Sequence, residues 1–294
     1  CRMVNIPGTT GNDSLGPGIP GNPDAGTNDT ITANAGDDSL YGGNGVDSLL
    51  GEAGNDLLFG GAGNDSLFGG NNSDLLEGGG GADLLVGGNV GGGGNSGRDT
   101  VSYAGSNNAV LVSVNGSGSG GDAAGDTLQN IEDLFGSAYN DTLYGDGSGN
   151  ILQGDAGDDY LYGRDGADSV YGGSGRDVIF GGTGADTLEG GSDDDRVYGG
   201  EGADRLLGDN GNDQLFGGAD GDSLFGGNND DLLEGGFGND TLVGGSGNDA
   251  ASYASASGAV TVNLSTGVAS GDAGTDTLSQ IEDVIGGYGN DNIT

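Results

Sequence analysis

The sequence predicts an all-β chain, a parallel β-solenoid of stacked nine-residue units, on three observations. Aspartate recurs every nine residues over long stretches, a large aliphatic follows each of these aspartates by two positions, and 73 of the 294 residues are glycine. A fixed short period of this kind marks a chain whose units bury their apolar face against one another.

Each element follows from the spacing. Residues 1 to 26 hold all four prolines and break the period, and they read as a Pro/Gly-rich N-terminal segment. Residues 27 to 86 form a first array, marked by Asp29, Asp38, Asp47, Asp56, Asp65, Asp74 and Asp83. Its aliphatics are Ile31, Leu40, Leu49, Leu58, Leu67, Leu76 and Leu85. Residues 87 to 139 are a glycine-rich insert (GGNVGGGGNSGRD, 87 to 99) and a β spacer. There Val110, Val112 and Val114 alternate before a glycine-rich turn, which predicts a β-hairpin, while Leu128, Ile131 and Leu134 lead back into the stack. Residues 140 to 249 form the second array: Asp141, Asn150, Asp159, Asp168, Asp177, Asp186, Asp195, Asp204, Asp213, Asp222, Asp231, Asp240 and Asp249. Residues 250 to 289 repeat the first spacer at an offset of 150, with Val260, Val262 and Leu264 in the alternating run. Residues 290 to 294 copy 28 to 32, so they read as the start of a further repeat, either of a longer tandem protein or of a head-to-tail contact with a second copy.

Within a unit, written G-G-x-G-x-D-x-U-x with U aliphatic, only x-U-x is expected to be extended, which gives one inward side chain per strand. The remaining positions must turn, and glycine supplies the positive φ that tight turns need. At the fourth position the departures from glycine are Asn72, Asp193, Asp220, Asn229 and Ser148. Asn and Asp tolerate the left-handed region best, so four of these five are expected to keep the turn.

Charge sets the chemistry. The net charge is −40, from 39 Asp, 7 Glu and only six Arg, with no Lys or His. Nucleic acid and anionic membranes are therefore poor partners, and a cationic partner is implied. Two units make a coil of 18 residues, and parallel coils lie about 4.8 Å apart. Carboxylates stacked about 5 Å apart repel by roughly 0.8 kcal/mol in water and roughly 3 kcal/mol at an effective dielectric of about 20. A divalent cation between them reverses the sign, and oxygen donors without His or Cys thiolates favour Ca²⁺. A halophile-like acidic surface would instead scatter its acids and use plenty of Glu.

The repeats GGNGVDSLL (42 to 50), GGAGNDSLF (60 to 68) and GGTGADTLE (181 to 189) resemble those of the RTX, or haemolysin-type calcium-binding, family, and the likeness covers most of residues 27 to 249. The resemblance implies a right-handed parallel β-roll of two arrays separated by a β-hairpin-like spacer. It implies sites where two turns meet: the Gly43 and Gly45 carbonyls with Asp47, and, a coil later, the Gly60 and Ala62 carbonyls with Asp65. The same positions elsewhere add Gly61, Gly63, Gly182, Gly184, Gly199 and Glu201 as candidate carbonyl ligands. Pairs of markers 18 apart number five in the first array and eleven in the second, Asn150 included, so about 16 Ca²⁺ would leave a residual charge near −8. Family members are exported unfolded by type I secretion and fold outside, which implies an extracellular or cell-surface location.

Enzymatic machinery is not expected. Without Lys or His, and with cysteine only at Cys1, no Ser/His/Asp triad, Cys/His pair, Schiff-base lysine or P-loop can form. Cys1 reads as a chain boundary or as the lipid-bearing residue of a processed lipoprotein. No run of 18 apolar residues spans a membrane. Aromatics such as Tyr41, Phe59, Phe180 and Phe216 fill the ninth position and predict either a stiffening ladder or a stripe for stacking glycans. The expected function is a calcium-binding structural module that self-associates into a fibre, surface layer or adhesin stalk. The alternatives are an accessory region of a secreted toxin, protease or polysaccharide-modifying enzyme, and a polysaccharide-binding module.

Overall fold

A computed structural model describes residues 4–9, 11, 13–16, 28–88, 97–271 and 274–294. Cys1, most of the proline-rich segment and the centre of the glycine-rich insert lie outside the described residues. Among the described residues there is no α-helix, only a 3-10 turn at Gly121–Ala123, and no helix is long and apolar enough to cross a membrane. The chain divides into two compact units, Cys1–Tyr144 and Gly145–Thr294.

The first unit is a parallel solenoid. One face runs through Val4–Pro7, Asp29–Thr32, Ser48–Ala53, Ser66–Asn71, Leu84–Val86 and Thr127–Gln129. The other runs through Ser14–Leu15, Ser39–Asn44, Leu57–Ala62, Leu75–Gly80, Thr100–Ser102 and Asp133–Phe135. The register confirms the 18-residue coil: Leu40 lies opposite Leu58, and Leu58 opposite Leu76. Residues 4–7 and 13–16, from the segment read as proline-rich, join the same stack. GTTGNDSLG at 8 to 16 is an off-period copy of the unit, and its Leu15 lies opposite Leu40.

In the second unit one face carries Ile151–Ala156, Ser169–Ser174, Thr187–Ser192, Arg205–Asn210, Ser223–Asn228 and Thr241–Ser246. The opposite face carries Tyr160–Asp165, Val178–Thr183, Arg196–Glu201, Gln214–Ala219 and Leu232–Phe237. Every eighth-position aliphatic from Leu152 to Leu242 is fully buried, each contributing about 1.5–3 kcal/mol of transfer free energy.

The strands are longer than the three residues expected from the pattern. Most run six residues, x-U-x-G-G-x, because the glycine at the first position points inward and the ladder resumes beyond it, as in Gly43 opposite Gly61 and Asn44 opposite Ala62. Only positions four to six are left to turn. Asn72, Asp193, Asp220 and Asn229 sit at φ 74 to 79, as expected, and Ser148 is not among the positive-φ residues. The second position is also left-handed, even for Glu52 (φ 74), Arg164 (φ 82) and Asp209 (φ 72).

The spacers are woven into the stack rather than set beside it. In the first, Val101 lies between Leu76 and Leu134, and Leu128 lies opposite Leu85. The hairpin pairs Leu111–Ser113 antiparallel with Gly118–Ser119, and Val110, Val112 and Val114 are buried. The second spacer makes a three-stranded antiparallel ribbon, Thr261–Asn263, Val268–Gly271 and Gly274–Ser279. Its Val260 and Val262 are buried, whereas Leu264 is half-buried.

The aromatics form ladders. Tyr41 stacks on Phe59 at 5.1 Å, and Tyr162, Phe180, Tyr198 and Phe216 stack in one column at 4.9–5.0 Å with ring planes 7–8° apart. Each inner ring spends both faces on its neighbours and presents only an edge to solvent.

Candidate metal centre

The periodic aspartates point into the molecule. Those from Asp29 to Asp249 named above are all at most 4% exposed, so each carboxylate is withdrawn from water. One oxygen is used structurally: the N–H of Asp47 donates to Oδ1 of Asp65, 18 residues on, at 2.8 Å. The rung recurs from Asp38 to Asp56, Asp56 to Asp74, Asp186 to Asp204 and Asp222 to Asp240 at 2.8–2.9 Å. A second ladder runs the opposite way at position five, where a side-chain oxygen caps the N–H one coil later, as Asn55 Oδ1 does for Ser73 and Asp194 Oδ1 does for Asn212. This explains the frequent Asn or Asp before the marker aspartate, a role the sequence reading missed.

In two runs of markers the other carboxylate oxygen has no donor. Oδ2 is buried without a hydrogen-bond partner in each marker from Asp38 to Asp83 and in each from Asp177 to Asp249. A buried anion left this way is costly. Burial is the main cause of the resulting shifts, opposed by the N–H on Oδ1 and increased by neighbouring carboxylates. It pushes Asp74 and Asp195 up to about 8, Asp177, Asp222 and Asp231 to about 7, and Asp56, Asp65, Asp83, Asp204, Asp213 and Asp240 to about 6. Asp38, Asp47, Asp186 and Asp249 move in the same direction. The array carries stored demand for a positive charge.

The first glycine of the unit makes room for it. At Gly42 a Cβ would stand 2.6 Å from Asp47 Oδ2 and 2.5 Å from the carbonyl of Gly60 on the next coil. At Gly181 the same point lies 2.4 Å from Asp186 Oδ2 and 2.6 Å from the Gly199 carbonyl. Two oxygens thus flank a space that any side chain would fill, and hard oxygen donors of this kind suit Ca²⁺. The donor set therefore fits a calcium ion.

The remaining expected carbonyls are placed differently. Ala62 O accepts the Gly45 N–H at 2.8 Å, and Glu201 O accepts the Gly184 N–H at 2.8 Å. The carbonyls of Gly43 and Gly45 face the α-carbons of Gly61 and Gly63, and those of Gly182 and Gly184 face Gly200 and Gly202. Among the described residues no three acidic side chains converge, so a cation here depends on backbone oxygens.

The start of the second array departs from the pattern. Asp141 accepts from Val110 N–H at 2.7 Å and from the Ser137 hydroxyl at 2.9 Å. Asn150 Oδ1 accepts from the Asp146 N–H at 2.8 Å, while the Arg164 guanidinium donates to the Gly145 carbonyl at 2.9 Å. The structure also adds aspartates beyond the two arrays, Asp99 and Asp126 off the nine-residue step and Asp276 on it, 27 residues after Asp249. Asp74 N–H donates to Asp99 Oδ1 and Asp83 N–H to Asp126 Oδ1, both at 2.8 Å, and Asp240 N–H donates to Asp276 Oδ1 at 3.1 Å. The signal that finds them is the tripeptide D-T-U, as in Asp99-Thr100-Val101, Asp126-Thr127-Leu128 and Asp276-Thr277-Leu278.

No curated protein sequence matches the chain. Solved structures similar to it include a hyperactive, Ca²⁺-dependent, β-helical antifreeze protein from an Antarctic bacterium, 17% identical, with a TM-score of 0.28, over 95% of this chain and 80% of that one. At that level the likeness says nothing about what this chain does. The RTX calcium-binding nonapeptide repeat, described as four copies per match, is found at residues 25–58, 59–89, 126–149, 144–179, 180–215 and 216–250. These matches cover more than half of the chain and run through the buried aspartate ladder, so the chain belongs to the RTX calcium-binding nonapeptide-repeat family.

Proposed function

We propose that this chain is a calcium-folded structural module of a secreted protein, working outside the cell. The observation that carries the reading is the row of buried, donorless Oδ2 atoms repeated every nine residues. A bound divalent cation supplies the positive charge that such a row lacks. The chain's part is to hold the oxygens in place: Oδ1 is fixed by the N–H of the coil before, and the glycine at position one keeps the space beside Oδ2 open. Without that charge, glycine entropy and a net charge of −40 favour the disordered chain. Millimolar calcium outside a cell would fold it by mass action. Family membership supports export in the unfolded state, and the parallel stacking within each unit favours end-to-end self-association into a fibre, surface layer or stalk.

The chain reads as non-enzymatic, because its acids are spent on the repeat. A glycan stripe draws no support from the aromatics, whose stacked rings cover one another's faces. Bound calcium counted by elemental analysis after gel filtration tests the reading, with roughly 16 ions expected from the paired ladder positions. A count near zero would refute it.

A further inference from the structure

Two carboxylates in the ladder differ from the array aspartates in what meets their second oxygen. Asp126 takes the Asp83 N–H on Oδ1 at 2.8 Å, as array members do, but its Oδ2 accepts the Tyr103 hydroxyl at 3.0 Å. Asp276 takes the Asp240 N–H at 3.1 Å, and its Oδ2 accepts the Tyr253 hydroxyl at 3.0 Å. Both tyrosines are buried, at 2% and 5% exposure, so water cannot stand in for either hydroxyl. From Asp38 to Asp83 and from Asp177 to Asp249 the equivalent oxygen has no protein donor. A phenol O–H satisfies one carboxylate lone pair.

The backbone changes with the side chain in the first spacer. Ala124, at the fourth position of the unit whose sixth is Asp126, has φ −68, where Gly45 and Gly63 have φ 143 and 141. Residues Gly121–Ala123 form a 3-10 turn in place of the usual open strand. The open glycine turn is not built there. The second spacer keeps Gly274 at φ 128 but pairs it antiparallel with Gly271, so the open turn of the arrays is replaced there as well.

We propose that Tyr103 and Tyr253 stand in for a metal ion, each ending one run of calcium sites so that Asp126 and Asp276 are held without a cation. The coils carrying them then have their buried carboxylates satisfied by protein alone, and each spacer is a metal-independent end to the array before it. The inference rests on the array aspartates holding calcium.

The experiment compares Asp126→Asn and Asp276→Asn with Asp65→Asn and Asp222→Asn in the full chain. Bound calcium is counted by native mass spectrometry at saturating calcium, and melting is followed in parallel. Asp65→Asn and Asp222→Asn are expected to lose an ion, whereas Asp126→Asn and Asp276→Asn keep the full count. Loss of an ion on Asp126→Asn or Asp276→Asn, with loss also in the array variants, overturns the inference and leaves the calcium reading standing. No loss in the array variants overturns the calcium reading itself. Tyr103→Phe removes only the hydroxyl and guards against a misfolded Asp126→Asn. It is expected to keep the calcium count and lower the melting temperature, and an unchanged melting temperature counts against the role of the hydroxyl.

Discussion

Replacing Gly60 by alanine probes the space beside the carboxylate, and Gly80 supplies the matched control. A Cβ at Gly60 would stand 2.6 Å from the Gly78 carbonyl and 2.7 Å from Asp65 Oδ2, about 0.7–0.8 Å short of ordinary contact at 3.4 Å. Two buried oxygens must give way together, and one belongs to backbone held in the parallel ladder. Overpacking of this kind costs about 1–3 kcal/mol. At Gly80 a Cβ meets nothing within 4 Å and the residue is exposed, so Gly80→Ala should stay within about 0.5 kcal/mol of the parent. Thermal melting by circular dichroism in excess calcium reads the difference, at roughly 2–4 °C per kcal/mol for a unit of this size. Gly60→Ala should also bind at least one ion fewer. Equal melting temperatures for the two variants would refute the reasoning, since both exchange glycine for alanine and only one fills the space beside Asp65.

Other expectations follow from the same geometry. In chelator, ladder aspartates such as Asp74 (about 8), Asp177 (about 7) and Asp65 (about 6) titrate above the ordinary aspartate value of 3.8, so the folded state binds the extra protons. Their contribution to stability is complete below pH about 4 and is lost as pH rises through 6 to 8. The metal-free chain should therefore gain β signal when acidified from pH 8 to about 4.5, and no gain would contradict the burial of these carboxylates. Glu52 is exposed and left-handed at φ 74, a conformation that costs an L-residue roughly 1–2 kcal/mol, partly offset by the greater chain entropy of glycine. Glu52→Gly should raise stability by up to about 1 kcal/mol in a denaturant melt, and a clear loss would show that the Glu52 side chain does something its backbone does not reveal.

Much of this was legible in the sequence, because a rigid period ties neighbours in space to a fixed separation in the chain. Leu40, Leu58 and Leu76 stack as their spacing requires, and Asn72, Asp193, Asp220 and Asn229 hold the left-handed turn. The period located the acids of the candidate site. It did not tell which oxygen of Asp65 faces Asp47 N–H and which is left without a donor, since that depends on where the carboxylate turns. Inserts also defeated the counting. Asp13, Asp99 and Asp126 occupy ladder positions, yet the loops beside them move them off the nine-residue step, and Asp276 keeps the step only after Gly258 and Gly267 interrupt the series. Tyr103 carries no periodic signal, because its partner Asp126 lies 23 residues away across the hairpin. Glu52 and Arg164 adopt positive φ against their own preference, where the coils stacked on either side impose the turn.

The central claim is that cations between coils, and not an apolar interior, decide whether this chain is folded. Far-UV circular dichroism of exhaustively chelated protein at pH 7.5, titrated with calcium and separately with magnesium, tests it most directly. A disordered spectrum that converts cooperatively to β structure with calcium, and far less with magnesium, is the predicted result. A chelated chain that already shows the full β spectrum and melts at the calcium-loaded temperature would contradict it.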